Sequence, residues 1–421
     1  MFTESREIPN LHIKRVPSPF TPAEILEYLA VVQFTPLPTL PPLDAPQNWP
    51  DFAPTLANLE ALMRRHLLAF PYENTEAHYT PNHLFSYRPR DVFARLVRAR
   101  RGLGSVCIGH NTLFKGILQG LGYLCVRFFS FCYSTAAGVD LDWQTSRGPP
   151  KLGAMAHMIN LVQPCDTPSP EYPEPVPHLV DVGYGGIGDH TMLLRPLPLI
   201  HGATVTSFCA PEEHRLMRGP RPANESALQG DAPVAQGWFL QARASPSAEW
   251  RTPHWFSTAE YTESDFEWIS FCISMLLTDN VAGCIKLHEL PSGEIARMFV
   301  GGSKAVRKVG KKLQLLEQWK WEEERIDGFR RLIGLCLDEE EALRSVRGRG
   351  VALPIRRDAQ GVPNASTEAQ FTQKIHSRLD PAGGVLSGTA SVLTSKRAIK
   401  TRGGEFDVDD VAKTPREMTF D

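Results

Sequence analysis

The sequence predicts an α+β protein, because its hydrophobic periodicity changes along the chain. Up to about residue 120, apolar side chains recur every three or four positions, which is typical of amphipathic helices. Between residues 123 and 245, short alternating or β-branched segments are separated by turn-forming residues. Helical and strand-like segments both return beyond residue 249. We therefore expect a helical unit, then an antiparallel barrel or sandwich, and then a mixed unit.

The first unit is predicted to contain three helices ahead of the Gly-rich stretch near residue 100. They are expected at residues 21–33, from Thr55 to near Pro71, and from Pro89 to Arg98. The first begins with Thr21 as its N-cap and Glu24 closing a capping box. Residues 35–54 hold seven prolines, which exclude a regular helix and predict a loop.

The later units are predicted to be rich in strands. Expected strands are Leu124–Tyr133, His157–Val162, His178–Val182, Val205–Phe208, Gly237–Ala242, Ala282–Glu289 and Glu294–Val300. A helix is expected from near Ser264 to Leu276, and a closing helix from Leu315 to Leu337. Apolar periodicity is lost after about Leu353, so we expect a disordered tail.

Charge, hydropathy and cysteine spacing exclude several classes of protein. A formal net charge of −2 argues against nucleic acid or an anionic membrane as the main partner, since both favour a basic excess. No apolar run approaches the roughly 18 residues that span a bilayer, and residues 1–8 lack the apolar segment of a secretory signal. The eight cysteines form no CxxC pair, which argues against a zinc ribbon or a disulfide scaffold. These features predict a cytoplasmic protein.

One cysteine stands where a Gly-rich loop meets a predicted helix. Residues 100–106 are Arg-Arg-Gly-Leu-Gly-Ser-Val, Cys107 follows, and apolar residues then recur at helical spacing from Leu113 to Leu121. The positive end of a helix dipole stabilises a thiolate, so Cys107 is a candidate nucleophile. A buried structural role is the alternative, because most cysteines are small core residues.

His157 and Asp181 could act with Cys107 if the fold brings the three together. Both lie in alternating, strand-like segments. A carboxylate among apolar residues requires a cationic or hydrogen-bonding partner, which an imidazolium can supply. The three groups would provide a nucleophile, a proton shuttle and an orienting carboxylate, as acyl transfer through a thioester requires. His178 and His190 are competing candidates, Asp181 could be only a turn former, and spacing alone does not establish a triad.

Several segments, in order, resemble motifs of the arylamine N-acetyltransferase family. Phe70-Pro71-Tyr72-Glu73-Asn74 resembles its Pro-Phe-Glu-Asn segment, and Arg101–Asn111 resembles its Arg-Gly-Gly-x-Cys loop with an Asn four residues after the cysteine. His157–Val162 resembles its catalytic-histidine strand, and Leu179–Gly186 is similar to its Val-Asp-Val-Gly-Phe-Gly segment. The resemblance extends over about residues 20–340 and includes the helices of the family's lid domain.

The resemblance implies a three-domain fold with a papain-like cysteine-transferase core. Its domains would be a helical domain at 1–122, an antiparallel β-barrel at 123–248 and an α/β lid at 249–353, followed by the tail at 354–421. It implies a catalytic triad of Cys107, His157 and Asp181 and a ping-pong cycle from acyl-CoA to an arylamine, arylhydrazine or related amine. It also implies substrate-binding residues Val106, Phe70, Gly183, Tyr184 and Gly185, and a CoA-binding residue, Gly186. Acyl-CoA is expected as a co-substrate, with no tightly bound cofactor and no metal.

The sequence departs from the family pattern near the site. Five residues separate Arg101 from Cys107 where the family has three, and the loop could bulge and still present the thiol. His110 stands near a position that is often acidic or small and polar in the family. Its side chain is expected to face solvent, with an electrostatic effect on Cys107 as the alternative. Tyr184 replaces a phenylalanine and would add a hydroxyl to the acceptor pocket.

The Pro-rich inserts and the C-terminal extension are similar to those of filamentous-fungal members, some of which favour malonyl- or propionyl-CoA over acetyl-CoA. The sequence leaves open the acyl donor, the amine, the oligomeric state (a monomer included) and the choice between xenobiotic metabolism and a biosynthetic role. Two other functions fit the same core. One is a cysteine amidase or hydrolase, and the other is a catalytically silent CoA-binding homologue, suggested by the altered cysteine loop.

Overall fold

The computed structural model describes residues 16–46, 48–123, 131–140, 143, 148–166, 170, 176–184, 195–221, 236–277, 282–310, 312–356 and 418–419. Its helices are α1 (Pro22–Val31), α2 (Leu56–Ala69), α3 (Thr75–Tyr79), α4 (Pro89–Phe93) with a π-helical continuation (Ala94–Arg98), α5 (Cys107–Gly120), α6 (Glu263–Leu276), α7 (Glu322–Ile333) and α8 (Glu339–Val346). None of these described helices has both the length and the apolar character needed to cross a membrane.

The strands form two antiparallel sheets. They are β1 (Tyr72–Glu73), β2 (Phe131–Val139), β3 (Met155–Gln163), β4 (His178–Val180), β5 (Leu197–Pro198), β6 (Thr204–Thr206), β7 (Glu213–Pro220), β8 (Gln236–Arg243), β9 (Arg251–Phe256), β10 (Gly283–Glu289), β11 (Ile295–Gly301), β12 (Lys304–Val309), β13 (Lys312–Gln318) and β14 (Met418–Thr419).

The three helices predicted ahead of residue 100 are confirmed. At the start of α1, the backbone N–H of Thr21 donates to the Glu24 carboxylate at 2.9 Å, and the Thr21 hydroxyl accepts from the Glu24 backbone at 3.3 Å. Thr55 caps α2 in the same way, through the backbone N–H of Asn58. The five-residue helix α3 is too short for periodicity to reveal, and the sequence did not predict it.

Helix α5 lies at the centre of the molecule. Of its residues, all but Thr112 and Lys115 are buried, as expected for a helix surrounded by protein on every side. It packs against α4 and α1 on one side and against β2 and β3 on the other. Polar residues on α5 therefore need partners inside the protein, and two of them, His110 and Asn111, belong to the site described below.

The first sheet forms a nearly closed antiparallel barrel with the order β5-β4-β3-β2-β9-β8-β7-β6. Just after β5, the backbone N–H of Gly202 donates to the carbonyl oxygen of Leu216 in β7 at 2.8 Å, which connects one end of the sheet to the strand next to its other end. The predicted strand beginning at Leu124 is observed from Phe131 onward, and residues 124–130 lie outside the described residues.

Strand β9 was not predicted, and it belongs to this sheet although it lies beyond the predicted barrel boundary at residue 248. It is hydrogen-bonded between β2 and β8. The sequence concealed it because Pro253 interrupts the strand pattern. The register shifts at this point, between the pairs Leu240–His254 and Ala242–Arg251, so β9 has one extra residue where Pro253 lies.

The second sheet has the order β1-β10-β11-β12-β13-β14. The predicted hairpin is confirmed as β10 and β11, and β12 and β13 extend it. The prediction of a closing helix from Leu315 was wrong at its start: α7 begins at Glu322, because the preceding residues pair with β12 as β13. Of the predicted disordered tail, residues 418–419 pair with β13, and residues 357–417 and 420–421 lie outside the described residues.

Candidate active site

Cys107 is the first residue of α5, and the extended N-cap Val106 precedes it. The predicted junction between loop and helix is therefore present, and only 6% of the Cys107 surface is exposed. Its apolar cluster includes Ala136 of β2, Met158 of β3 and Phe266 of α6. The thiol thus lies where the helical unit, the barrel and α6 meet.

The structure brings Cys107, His157 and Asp181 together. His157 Nε2 lies 2.7 Å from Asp181 Oδ2, and Cys107 is close enough to the imidazole to act on its pKa. Burial by itself would lower the pKa of His157, but its interactions with the Asp181 carboxylate and with Cys107 raise it to about 10. The imidazole therefore remains cationic at neutral pH while it faces the thiol.

The Asp181 carboxylate has hydrogen-bond donors on both oxygens. While Oδ2 accepts from His157, Oδ1 accepts from Asn111 Nδ2 and from the backbone N–H of Gly183, each at 2.9 Å. Burial opposes the charged form, but the His157 cation and these donors lower the pKa of Asp181. The carboxylate is thus kept ionised and fixed in one orientation.

Asn111 links the helix of the cysteine to the strand of the histidine. It lies one turn after Cys107, and its Nδ2 also donates to the Met158 carbonyl oxygen at 2.8 Å. Asn160 Nδ2 in turn donates to the Asn111 carbonyl oxygen at 3.0 Å. Asn111 belongs to the predicted Arg101–Asn111 motif, but no role was predicted for it. Its signal was the spacing of four residues, which puts it on the helix face of Cys107.

Gly183 lies directly against the backbone of Cys107. A Cβ atom at this position would lie 2.6 Å from the Cys107 Cα and 2.8 Å from its carbonyl oxygen. A side chain at Gly183 would therefore separate the segment that carries Asp181 from the helix that carries the thiol.

Two further rings surround the imidazole of His157. The ring of Tyr184 meets it edge-on with 5.4 Å between centroids, and the ring of His254 lies 5.5 Å away. Burial raises the pKa of Tyr184, so its hydroxyl is retained as a neutral group. Burial lowers the pKa of His254 to about 3, so this imidazole is neutral. The sequence missed His254 because it lies on the unpredicted strand β9.

The other predicted site residues have different positions. Phe70 packs in the helical core, in ring contact with Tyr28 and His66, rather than in the cluster of Cys107. The competing histidine His178 bonds to the carbonyl oxygen of Val176 at 3.0 Å. The remaining predicted residues, Gly185, Gly186 and His190, lie outside the described residues. In the described part of the chain, no group of three or more His, Cys, Asp or Glu residues could hold a metal ion.

The lengthened cysteine loop is held by an ion pair that the sequence did not reveal. Arg95 Nη2 lies 2.6 Å from Glu73 Oε1, and its Nε donates to the Gly104 carbonyl oxygen at 3.0 Å. The backbone N–H of Gly104 donates to the same carboxylate at 3.1 Å. Arg101, which the motif suggested, is exposed and donates to the Cys336 carbonyl oxygen at 2.9 Å.

The expectation that His110 faces solvent was wrong. It is only 1% exposed, and its ring lies parallel to that of Tyr72 with 6.4 Å between centroids. The helical pattern did not reveal this, because α5 is buried on all faces and polar residues do not mark a solvent-exposed side.

Comparison with known proteins defines the class of this molecule. A family model described as N-acetyltransferase matches residues 55–281. The chain therefore belongs to the arylamine N-acetyltransferase family and is an N-acyltransferase. Its fold agrees with this. The chain is similar to the arylamine N-acetyltransferases of Mycobacterium marinum (TM-score 0.54, 21% identity, 76% of this chain and 98% of that one) and Salmonella typhimurium (TM-score 0.53, 18% identity, 78% and 99%). At these identities the likeness shows a shared fold, and it confirms the α+β architecture.

Two fungal relatives are more similar in sequence. The N-malonyltransferase FDB2 of Fusarium pseudograminearum is 27% identical over 292 residues, which cover 67% of this chain and 79% of that protein. The protein of the same name from Gibberella moniliformis is 25% identical over 334 residues, or 76% of this chain and 91% of that protein.

Proposed function

We propose that this protein transfers a short acyl group from acyl-CoA to an arylamine or arylhydrazine through a thioester on Cys107. The observation that carries the proposal is the buried arrangement in which His157 bonds to Asp181 and neighbours Cys107, the first residue of α5. Membership of an N-acyltransferase family supports transfer to nitrogen. What we propose beyond family membership is the thioester on Cys107, the acyl donor and the arylamine or arylhydrazine acceptor.

In the first half-reaction, the Cys107 thiolate attacks the carbonyl carbon of the acyl-CoA thioester. The cationic His157 pairs with the thiolate before attack, and Asp181 stabilises that cation. A bond forms between Sγ and the acyl carbon, and the bond from that carbon to the sulfur of CoA breaks. The departing CoA thiolate takes the proton of His157, which leaves the imidazole neutral.

In the second half-reaction, the amine nitrogen attacks the Cys107 thioester. The neutral His157 accepts the proton that the amine loses as the C–N bond forms. The bond between the acyl carbon and Sγ then breaks and restores the thiolate beside an imidazolium. The same three residues therefore serve both halves of the cycle, and no further base is required.

The names of the two fungal relatives make malonyl-CoA a donor to compare with acetyl- and propionyl-CoA. Tyr184 is the residue of the proposed acceptor pocket that the structure describes best. Its ring packs against His157, and its hydroxyl takes part in a hydrogen bond with Trp143.

The test is the intact mass of the protein after incubation with each acyl-CoA, followed by addition of an anisidine or 2-aminophenol. We expect a single acyl adduct that is lost in Cys107→Ser and retained in Cys336→Ser, whose thiol lies in the third unit. The adduct should disappear with formation of amide. Free acid without amide would support an amidase instead, and absence of any adduct with all three donors would overturn the proposal.

A further inference from the structure

A chain of buried polar side chains runs beneath the cysteine loop. Tyr28 Oη lies 2.9 Å from His66 Nδ1, and His66 Nε2 lies 3.0 Å from His110 Nδ1. His110 Nε2 lies 3.0 Å from the carbonyl oxygen of Pro71. The three side chains come from α1, α2 and α5, and none is more than 1% exposed. The catalytic cycle proposed above uses none of them.

The direction of this chain follows from its last member. His110 Nε2 faces two backbone groups, the Pro71 carbonyl oxygen at 3.0 Å and the Ser105 N–H at 3.3 Å. The carbonyl can only accept and makes the shorter contact, so we assign the proton to Nε2 and treat Ser105 N–H as a neighbour rather than a donor. A neutral His110 then accepts at Nδ1 from His66 Nε2, and His66 accepts at Nδ1 from the Tyr28 hydroxyl. Each of the three contacts thus has one donor and one acceptor. In this direction both imidazoles carry the proton on Nε2.

The groups around the two imidazoles keep them neutral. Burial lowers the pKa of His110 to about 4, although the Pro71 carbonyl and the carboxylates of Glu73 and Asp181 favour its cation. Burial, His110 and the Lys286 ammonium lower the pKa of His66. A second proton on His110 would place an N–H on Nδ1, opposite the N–H of His66, and would break the chain. The directional chain therefore persists through the neutral pH range.

The end of the chain supports the loop that presents the thiol. A Cβ atom on Gly104 would lie 1.7 Å from the Pro71 oxygen, so the loop backbone rests on the carbonyl that His110 holds. The ring of His110 also lies parallel to that of Tyr72. Burial raises the pKa of Tyr72, and the nearby Cys107 raises it further. His110 itself is three residues after Cys107 on the same helix.

We infer that His110, with His66 and Tyr28 behind it, is a positioning residue for Cys107. Its contacts with the Pro71 carbonyl and the Tyr72 ring hold these two residues at a set distance beneath the Gly-rich loop that precedes Cys107. The inference rests on the proposed function, because it takes Cys107 to be the nucleophile. It places the effect on the rate of acylation rather than on the binding of CoA, since none of the three side chains reaches the surface.

The experiment compares Tyr28→Phe, His110→Phe and His110→Gln with Tyr123→Phe in the full chain. Tyr123 is a matched control, because it is fully buried in the same core cluster and its hydroxyl donates to the Thr55 carbonyl oxygen at 2.8 Å. The readouts are the rate of Cys107 alkylation by iodoacetamide, single-turnover acylation, KM for acyl-CoA and the melting temperature.

Tyr28→Phe and Tyr123→Phe should lower the melting temperature to a similar extent, because each loses one buried hydrogen bond. Only Tyr28→Phe should slow alkylation and acylation, by about threefold, and His110→Phe should slow them about tenfold or more, with little change in KM. His110→Gln keeps an N–H donor near Pro71 and should recover part of the rate. Equal rates in Tyr28→Phe, His110→Phe and the control would overturn the inference.

Nitrogen-15 spectra of the imidazoles give a readout that loss of packing would not imitate. His66 and His110, assigned by their absence in variants, should both be neutral with the proton on Nε2 between about pH 6 and pH 8, because burial keeps them uncharged there. A proton on Nδ1 of His110 would contradict the inferred direction. Alkylation of Cys107 reports on the hydrogen-bonded series Tyr28, His66 and His110 even if the wild type forms no acyl adduct. The positioning role of His110 and the proposed acyl transfer can therefore fail separately.

Discussion

Arg95 and Glu73 hold the Gly104 peptide from both sides, the guanidinium at its carbonyl oxygen and the carboxylate at its N–H. The two side chains are themselves 2.6 Å apart, and the Glu73 side chain is fully buried. Burial would raise the pKa of Glu73, but Arg95 and the neighbouring donors lower it. A longer loop can thus deliver Cys107 to the start of α5 because its middle is clamped to an ion pair.

Removing Arg95 should be far more damaging than removing Arg101. Arg95→Met leaves the Glu73 charge buried without its partner and should cost about 3–5 kcal/mol of the free energy of unfolding. Arg101→Met removes an exposed side chain and should cost little. Urea denaturation measures both. Similar losses in the two variants would show that the ion pair does not have this role.

The close contact of Gly183 with Cys107 predicts a steric effect on both folding and catalysis. Gly183→Ala places a methyl group 2.6 Å from the Cys107 Cα, so the backbone must move. We expect a loss of about 1–3 kcal/mol in stability and a roughly 100-fold loss in acylation rate. The control is Gly153→Ala, where the new Cβ lies at an ordinary 3.4 Å from the Val139 oxygen. Its acylation rate should match that of the wild type.

Asp181→Asn should change the pH dependence of Cys107 alkylation. The carboxylate raises the pKa of His157 against the effect of burial, so an amide should let that pKa fall and leave the imidazole neutral at pH 7. Alkylation should slow about 100-fold or more at pH 7, as expected when an orienting carboxylate is lost, and should recover partly at alkaline pH. Asp51→Asn, an exposed loop variant, is the control. An unchanged pH profile in Asp181→Asn would contradict the assignment.

Buried histidines predict a stability maximum near neutral pH. Burial lowers the pKa of His78, His214 and His254 to about 3 and that of His178 to about 4. Unfolded histidine titrates at about 6.5, so the stability they contribute is present above that pH and is lost as the pH falls toward 3. His157 has the opposite sign: its contribution is complete below about pH 6.5 and is lost as the pH rises through about 10.

Urea midpoints measured across this range check the prediction. As the pH falls below about 6.5, the free energy of unfolding derived from these curves should decrease by up to about 1.4 kcal/mol per pH unit for each such histidine. His214→Leu, in β7 of the barrel, removes one titrating group. The slope of the free energy of unfolding against pH on the acid side should therefore decrease by the contribution of one proton. His157→Gln should flatten the alkaline side. A midpoint that stays constant between pH 5 and pH 8 would contradict the sign of both shifts.

The sequence predicted the parts of the site that depend on local structure or on motif wording. The cap of Thr21 on α1 and the junction at Cys107 need only neighbouring residues, and both are confirmed. The role of Arg95 was not predicted, because its partner Glu73 is 22 residues away and no helical or strand period links the two. Strand β9, which carries His254, was not predicted because Pro253 interrupts its strand pattern. The start of α7 was misplaced because residues 312–318 fit both helical and strand spacing, and only pairing with β12 decides between them.

The two-residue strand β1 is the edge of the second sheet that meets the cysteine loop. On one side it pairs with β10, and on the other the backbone N–H of Glu73 donates to the Ser105 carbonyl oxygen at 3.0 Å. The segment matched by the family model ends at residue 281, just before β10 begins at Gly283. A fragment trimmed to that match would retain Cys107, His157, Asp181 and β1 yet lose β10, the strand that holds β1 in place beside the cysteine loop. The smallest fragment worth expressing must therefore run well past the matched segment.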